Sequence, residues 1–87
     1  MILDLMLKGV IILLKSYIAV ESVTYAIKGR ELLLKNGFKD VYFQRRPNFS
    51  KNGCGYAVYV NKNINKAVEL FHRASIPIIF VERDGNG

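Results

Sequence analysis

Residues 17–37 read YIAVESVTYAIKGRELLLKNG and combine a short strand pattern with the pattern of a capped helix. Residues 17–21 are typical of a strand, and Ser22 predicts a helix N-cap because its hydroxyl can accept a bond from a free main-chain N–H. The apolar residues that follow keep helical spacing and predict the buried face of this helix: Val23, Ala26, Ile27, Leu33 and Leu34. Asn36-Gly37 predicts its end, since both residues tolerate left-handed backbone geometry.

Further along the chain, the sequence predicts three more strands and a second helix. The strands are predicted at residues 41–45, Tyr56–Val60 and 76–82, with a loop at residues 47–55. The helix follows Asn61 or Asn63, and its apolar face is formed by Ile64, Ala67, Val68, Phe71 and Ala74. Gly29, inside the first helix, predicts close packing of that helix against the sheet.

The resulting order, β-α-β-β-α-β, predicts an α+β fold of the ferredoxin-like type. In that fold a four-stranded antiparallel sheet carries two helices on one face. With 87 residues in all, the chain has room for one small domain, which we place at residues 16–83. Residues 84–87 are expected to be a disordered tail.

Residues 1–15 form an apolar N-terminal extension, too short and too interrupted by charges for a membrane span. Three interpretations remain open for it. It covers the core as an extra element, it contacts a membrane surface or a partner as a helix, or it is an upstream start that the fold does not need.

Charge and thiol chemistry coincide in one window of the sequence. Residues 35–66 contain seven basic residues and one acidic residue, which equals the whole net charge of +6. The single cysteine, Cys54, lies in the same window. One cysteine excludes an internal disulfide and a cysteine-rich zinc site, and one histidine excludes most histidine-based metal sites.

Cys54 lies between Gly53 and Gly55, where the absence of side-chain bulk would let another molecule approach the sulfur. Three basic residues close in sequence would stabilise a thiolate relative to the neutral thiol: Arg45, Arg46 and Lys51. The alternative is a cysteine that serves as a small hydrophobic residue.

The stretch from Tyr17 to about Val81 resembles the small bacterial selenium/sulfur carrier-like family, a domain of unknown function with a Gly-Cys-Gly motif. The matching residues are Ser22 and Ala26, Leu32-Leu33, Asn36-Gly37-Phe38, Pro47 and the turn Asn52-Gly53-Cys54-Gly55-Tyr56-Ala57. This chain departs from the family pattern at Glu21, Asn52, Arg45 and Arg46, and residues 1–15 have no counterpart in it.

The resemblance implies a cytoplasmic carrier that holds a persulfide or selenosulfide on Cys54 and passes it from a donor protein to an acceptor enzyme. Such a protein is a carrier rather than a catalyst. It needs no cofactor other than the covalent sulfur or selenium itself.

A basic binding module without thiol chemistry, with RNA or a protein as partner, is the alternative. Some ferredoxin-like sheets stack bases on aromatic residues, and four aromatics flank the basic loop: Tyr42, Phe43, Tyr56 and Tyr59. No RNP-like run of glycine, aromatic and basic residues is present, so the sequence favours the carrier. A structural or regulatory subunit is the third class.

Overall fold

The structure is a computed structural model that describes residues 16–83. It has the predicted β-α-β-β-α-β order: β1 (Ser16–Val20), α1 (Val23–Lys35), β2 (Tyr42–Arg45), β3 (Tyr56–Val60), α2 (Ile64–Arg73) and β4 (Phe80–Glu82). The strands form an antiparallel sheet in the order β2-β3-β1-β4. The ferredoxin-like α+β prediction is therefore confirmed for these residues. The expectations for residues 1–15 and 84–87 concern residues outside the described range.

The hydrophobic core lies between the two helices and one face of the sheet. Ile18 and Val20 of β1, and the alternating residues of β3, are fully buried together with Leu33 of α1 and Phe71 of α2. Because successive side chains of a strand point to opposite faces, Tyr17 and Tyr59 lie on the other side of the sheet. We call that side the outer face.

The predicted buried face of α1 is wrong for three of its five residues. Ala26 and Leu33 are fully buried, whereas Val23, Ile27 and Leu34 are 42, 43 and 40% exposed. On a helix with 3.6 residues per turn, the exposed three share one stripe, and the buried side passes instead through Gly29. Helical spacing is therefore compatible with either of two apolar stripes as the buried side of α1. The stripe that packs in the core is the one with the smaller residues.

Gly29 allows close contact between the two helices, not the contact with the sheet that the sequence predicted. A Cβ atom at this position would lie 2.3 Å from Cζ of Phe71, whose side chain is fully buried. The aromatic ring of α2 thus occupies the space that a side chain on α1 would fill. This glycine is required by packing rather than by backbone conformation.

Both helices end in the same hydrogen-bonding motif. At the end of α1, Gly37 has a φ of +90°, and Phe38 N donates to Leu33 O at 3.0 Å. At the end of α2, Ser75 has a φ of +60°, and Ile76 N donates to Phe71 O at 2.9 Å. Each is a Schellman motif, in which a left-handed residue lets the chain satisfy the last carbonyls of the helix.

The second motif explains why β4 is shorter than the predicted strand at residues 76–82. Ile76 is buried and belongs to the end of α2, and Pro77 has no N–H for a strand ladder. The first bond to β1 is from Ile79 N to Ala19 O, at 2.8 Å. At the start of α2, Asn63 is the N-cap residue, although its side chain makes no capping bond.

The apolar face predicted for α2 is confirmed at Ile64, Ala67 and Phe71, which are buried, and Val68 packs against the core. Ala74 is exposed, and Leu70, which the pattern omitted, is buried. Within residues 16–83, no helix combines the length and the hydropathy that crossing a bilayer requires.

Candidate functional site

The cysteine loop (residues 46–55) connects β2 to β3 and is held by its own main-chain hydrogen bonds. A short 3₁₀ turn at Pro47–Phe49 opens it. Phe49 N donates to Arg46 O at 2.9 Å, and Gly53 N donates to Ser50 O at 3.0 Å. Arg46 N donates to Gly55 O at 2.7 Å and closes the base of the loop. The loop predicted at residues 47–55 is thus an ordered turn.

The two residues that flank Cys54 are glycines for different structural reasons. Gly53 has a φ of +73°, a left-handed conformation that other residues adopt only with strain. Gly55 is buried, and a Cβ atom there would lie 2.5 Å from Arg46 O and 2.8 Å from Cβ of Phe49. The geometry of the loop alone therefore accounts for both glycines that flank Cys54.

Cys54 itself is a free, exposed cysteine. Its thiol donates to Asn52 O with an Sγ–O distance of 3.6 Å, and a thiol is a weak donor. Its exposure makes Cys54 available to an incoming reagent. No cluster of metal-ligating side chains occurs among residues 16–83.

The three basic residues of the predicted site lie in different positions relative to Cys54. Arg45 donates from Nη2 to Gly53 O at 3.3 Å, which brings its guanidinium to the residue next to the cysteine. Lys51 is exposed in the loop. Arg46 instead donates from Nη2 to the Tyr59 hydroxyl at 2.8 Å, on the outer face. Arg45 and Lys51 are both exposed, whereas Arg46 is half-buried, with its guanidinium bonded to Tyr59.

The loop lies against a group of aromatic residues on the outer face. The ring of Phe49 stacks on Tyr17, with centroids 5.6 Å apart and planes 11° apart. It also meets the ring of Phe80 edge-on at 4.9 Å. Tyr17 in turn contacts Tyr59 at 5.2 Å. We call Tyr17, Tyr59 and Phe80 the aromatic seat of the loop.

Sequence reasoning missed Phe49, Tyr17 and Phe80 as parts of this site. A signal was present at Tyr17 and Tyr59, because each alternates with buried aliphatic residues at positions where a half-exposed strand normally carries polar residues. Nothing local in the sequence connects Phe49 to either strand. The contacts join residues from β1, the cysteine loop and β4, which only the tertiary fold brings together.

The four aromatic residues named for nucleic-acid binding divide between the two faces of the sheet. Tyr42 and Tyr59 lie on the outer face and stack with centroids 4.9 Å apart. Phe43 and Tyr56 are cross-strand neighbours that pack against the core, with their rings edge-to-face at 5.9 Å. Half of the predicted stacking platform therefore packs against the hydrophobic core.

Tyr17 shows the electrostatic effect of this packing. Burial raises the pKa of its phenol above the usual 10.0, and the negative charges of Glu82 and of an ionised Tyr59 raise it further. Arg46 lowers it by a smaller amount. Glu82 is the residue opposite Tyr17 in the β1–β4 ladder. The neutral phenol is therefore the form that the fold favours.

In comparisons with known proteins, no family model, no curated protein and no solved structure matches the chain. The resemblance to the selenium/sulfur carrier-like family thus rests on the residues quoted above, and it stays a prediction. Its most specific part is the Gly53-Cys54-Gly55 turn after Pro47.

Proposed function

We propose that this protein carries sulfur or selenium on Cys54, as a persulfide or a selenosulfide. The observation that supports the proposal is the exposure of the only cysteine at the end of an ordered loop, with Arg45 bonded to the neighbouring carbonyl. A carrier needs a thiol that both a donor and an acceptor can reach. A domain of this size offers little room for an enclosed active site, which suits a carrier better than an enzyme.

The transfer step is a sulfur exchange without net oxidation. The Cys54 thiolate attacks the outer sulfur of a donor persulfide, the donor's S–S bond breaks, a new S–S bond forms at Cys54, and the donor leaves as a thiolate. A donor selenosulfide would deliver selenium in the same way, through attack at selenium. The acceptor then takes the terminal atom by the reverse exchange.

The basic residues have separate roles in this proposal. Arg45 and Lys51 would stabilise the negative terminal atom of the adduct and attract acidic donor and acceptor proteins. Arg46 was expected to share this role, but its bond to Tyr59 suits it better to holding the loop. A reducing compartment, the cytoplasm, fits a carrier that has one thiol and no resolving partner.

The test is intact-mass measurement after incubation with glutathione persulfide or its selenium analogue. We expect a gain of about 32 Da for one sulfur atom or about 80 Da for one selenium atom, removed by dithiothreitol. The Cys54→Ser variant is the matched control and should gain nothing. Wild-type protein that stays unmodified under conditions that load a small free thiol would contradict the proposal.

The second candidate is a basic binding module that uses no thiol chemistry. One observation favours it: Tyr42, which is half-buried, stacks on the buried Tyr59 on the outer face of the sheet, in a chain of net charge +6. A gel shift with single-stranded RNA that weakens with salt and survives Cys54→Ser would support this function. An absence of RNA binding at low salt would exclude single-stranded RNA as the partner of such a module.

A further inference from the structure

We infer that Phe49 and Arg46 are positioning residues that hold the cysteine loop on the outer face and thereby control Cys54. The inference rests on the proposed function for its biological meaning, because it concerns the same thiol. It gives two residues outside the Gly-Cys-Gly turn a defined effect on the reacting sulfur. It also gives the aromatic seat a purpose other than stacking bases.

The first step is that Phe49 has its partners outside its own loop. Its ring contacts Tyr17 on the central strand β1 and Phe80 on the edge strand β4. Beside the seat, Ala19 and Ala57 face each other in register on the same side of the sheet, and both are fully buried. This part of the outer face is therefore covered, and Phe49 joins the loop to it.

The second step is that the position of Phe49 is transmitted to Cys54 through Gly55. Gly55 packs so closely on Phe49 Cβ and Arg46 O that no Cβ atom fits there. The bonds from Arg46 N to Gly55 O and from Phe49 N to Arg46 O tie these three residues together. Cys54 is bonded to Gly55, so a loop that leaves the seat moves the cysteine with it.

The third step is that Arg46 makes an independent contact with the seat. Its guanidinium donates to the Tyr59 hydroxyl at 2.8 Å, and its Cζ lies 6.0 Å from the centroid of the same ring. The side chain of Arg45, its neighbour in sequence, donates instead to the loop, at Gly53 O. Arg46 therefore joins the loop to the sheet, whereas Arg45 adds a bond and a positive charge within the loop itself.

The experiment compares Phe49→Ala, Phe49→Tyr and Arg46→Gln with the wild type, and uses Arg45→Gln as the matched charge control. One readout is amide hydrogen exchange of Gly53, whose N–H is bonded to Ser50 O within the loop. The second is the rate constant of Cys54 with two disulfides, the dianionic disulfide of thionitrobenzoate and the neutral dithiodipyridine. Thermal unfolding checks that each variant is folded.

We expect Phe49→Ala to speed Gly53 exchange about tenfold, because two ring contacts are lost. Both disulfides should then react faster with Cys54 by the same factor. Arg46→Gln should also speed Gly53 exchange and both disulfide reactions. Phe49→Tyr, which keeps the ring, should leave all three rates at their wild-type values. Arg45→Gln removes a bond to Gly53 O as well as a charge, so it is identified by slower reaction with the dianionic disulfide relative to the neutral one, a difference that loosening of the loop alone does not produce.

Unchanged Gly53 exchange in folded Phe49→Ala and in Arg46→Gln would overturn the inference. Faster exchange with unchanged rate constants would overturn it as well, since the loop would then be ordered without control of the thiol. If Phe49→Ala does not fold, the inference is tested by Arg46→Gln alone, because that variant removes no aromatic ring. Failure of the proposed function is separate: wild type would take up no sulfur whatever these variants do.

Discussion

Cys54 shows that one short motif can satisfy two requirements at once. The sequence explained its flanking glycines by access to the sulfur, whereas the structure gives each a reason in the loop itself. Gly53 adopts a left-handed conformation, and Gly55 leaves room for Arg46 O and Phe49. Glycines on both sides of a cysteine can therefore be explained by the geometry of the loop, whether or not the thiol is reactive.

Alanine substitution distinguishes the structural roles of Gly53 and Gly55. For Gly55→Ala we expect a loss of about 2 to 3 kcal/mol in the free energy of unfolding, because the Cβ meets a main-chain oxygen that no side-chain movement can clear. For Gly53→Ala we expect about 1 to 2 kcal/mol, from left-handed strain alone. Urea unfolding measures both. Asn52→Ala, at an exposed neighbouring position, is the control, and equal losses at Gly53 and Gly55 would contradict the reasoning.

Helix α1 illustrates what changes at the scale of an element. Its ends follow local chemistry, with Ser22 Oγ accepting from Tyr25 N at 3.3 Å and Gly37 at the left-handed position. The rotation of α1 about its own axis does not follow from local chemistry, because apolar residues lie on two stripes of the helix. Burial of Gly29 against Phe71 selects the stripe that allows the two helices to approach closely.

Adjacent leucines in α1 test that orientation. Leu33 is fully buried and Leu34 is 40% exposed. We expect Leu33→Ala to cost about 2 to 5 kcal/mol of stability, through lost burial and a cavity. Leu34→Ala should change stability by no more than about 0.5 kcal/mol. Similar losses for the two variants in thermal or urea unfolding would place the buried stripe elsewhere.

The contact between the helices gives a second test at this scale. Gly29→Ala should destabilise the protein by about 1 to 2 kcal/mol, because the clash with the buried Phe71 ring outweighs the better helix propensity of alanine. Phe71→Leu, which shortens the facing side chain, should reduce the cost of Gly29→Ala in the double variant. A double-mutant cycle in urea measures this coupling, and strict additivity would argue against the contact.

For the molecule as a whole, the outer face of the sheet differs most from what the fold predicts. A sheet with helices on one side usually turns polar residues to the other, but here tyrosines and phenylalanines receive the cysteine loop. Of the seven basic residues in the window 35–66, Arg45, Arg46 and Lys51 lie in β2 and this loop, and the other four lie outside β2, β3 and the loop. The thiol, three of the basic residues and the aromatic packing are therefore parts of one region of the protein.

The pKa of Tyr17 predicts how the stability of the whole protein depends on pH. Because this pKa is raised above 10.0 in the folded state, the contribution of Tyr17 to stability is complete below about pH 10 and is lost as pH rises through the folded-state value. Urea midpoints at about pH 8 and pH 11 should therefore fall further for wild type than for Tyr17→Phe. An equal fall in both proteins would contradict the shift.

Much of the fold follows from local patterns. The order of elements, the Ser22 cap and the end of α1 depend on residues within a few positions of each other, so a linear pattern contains them. The sequence also identifies Cys54 as the candidate residue and the basic residues near it, because residue type and spacing are enough to find both. The Ile76–Pro77 segment was misassigned because the end of α2 competes with a strand for the same residues.

The aromatic seat, the buried stripe of α1 and the different positions of Arg45 and Arg46 emerged only with the tertiary structure. Phe49 meets Tyr17 and Phe80 because a loop folds back over strands that are distant in sequence. Two neighbouring arginines look alike in a sequence, yet one bonds to the loop and the other to the sheet. Local patterns depend on near neighbours, whereas side-chain partners across a sheet depend on how the whole chain packs.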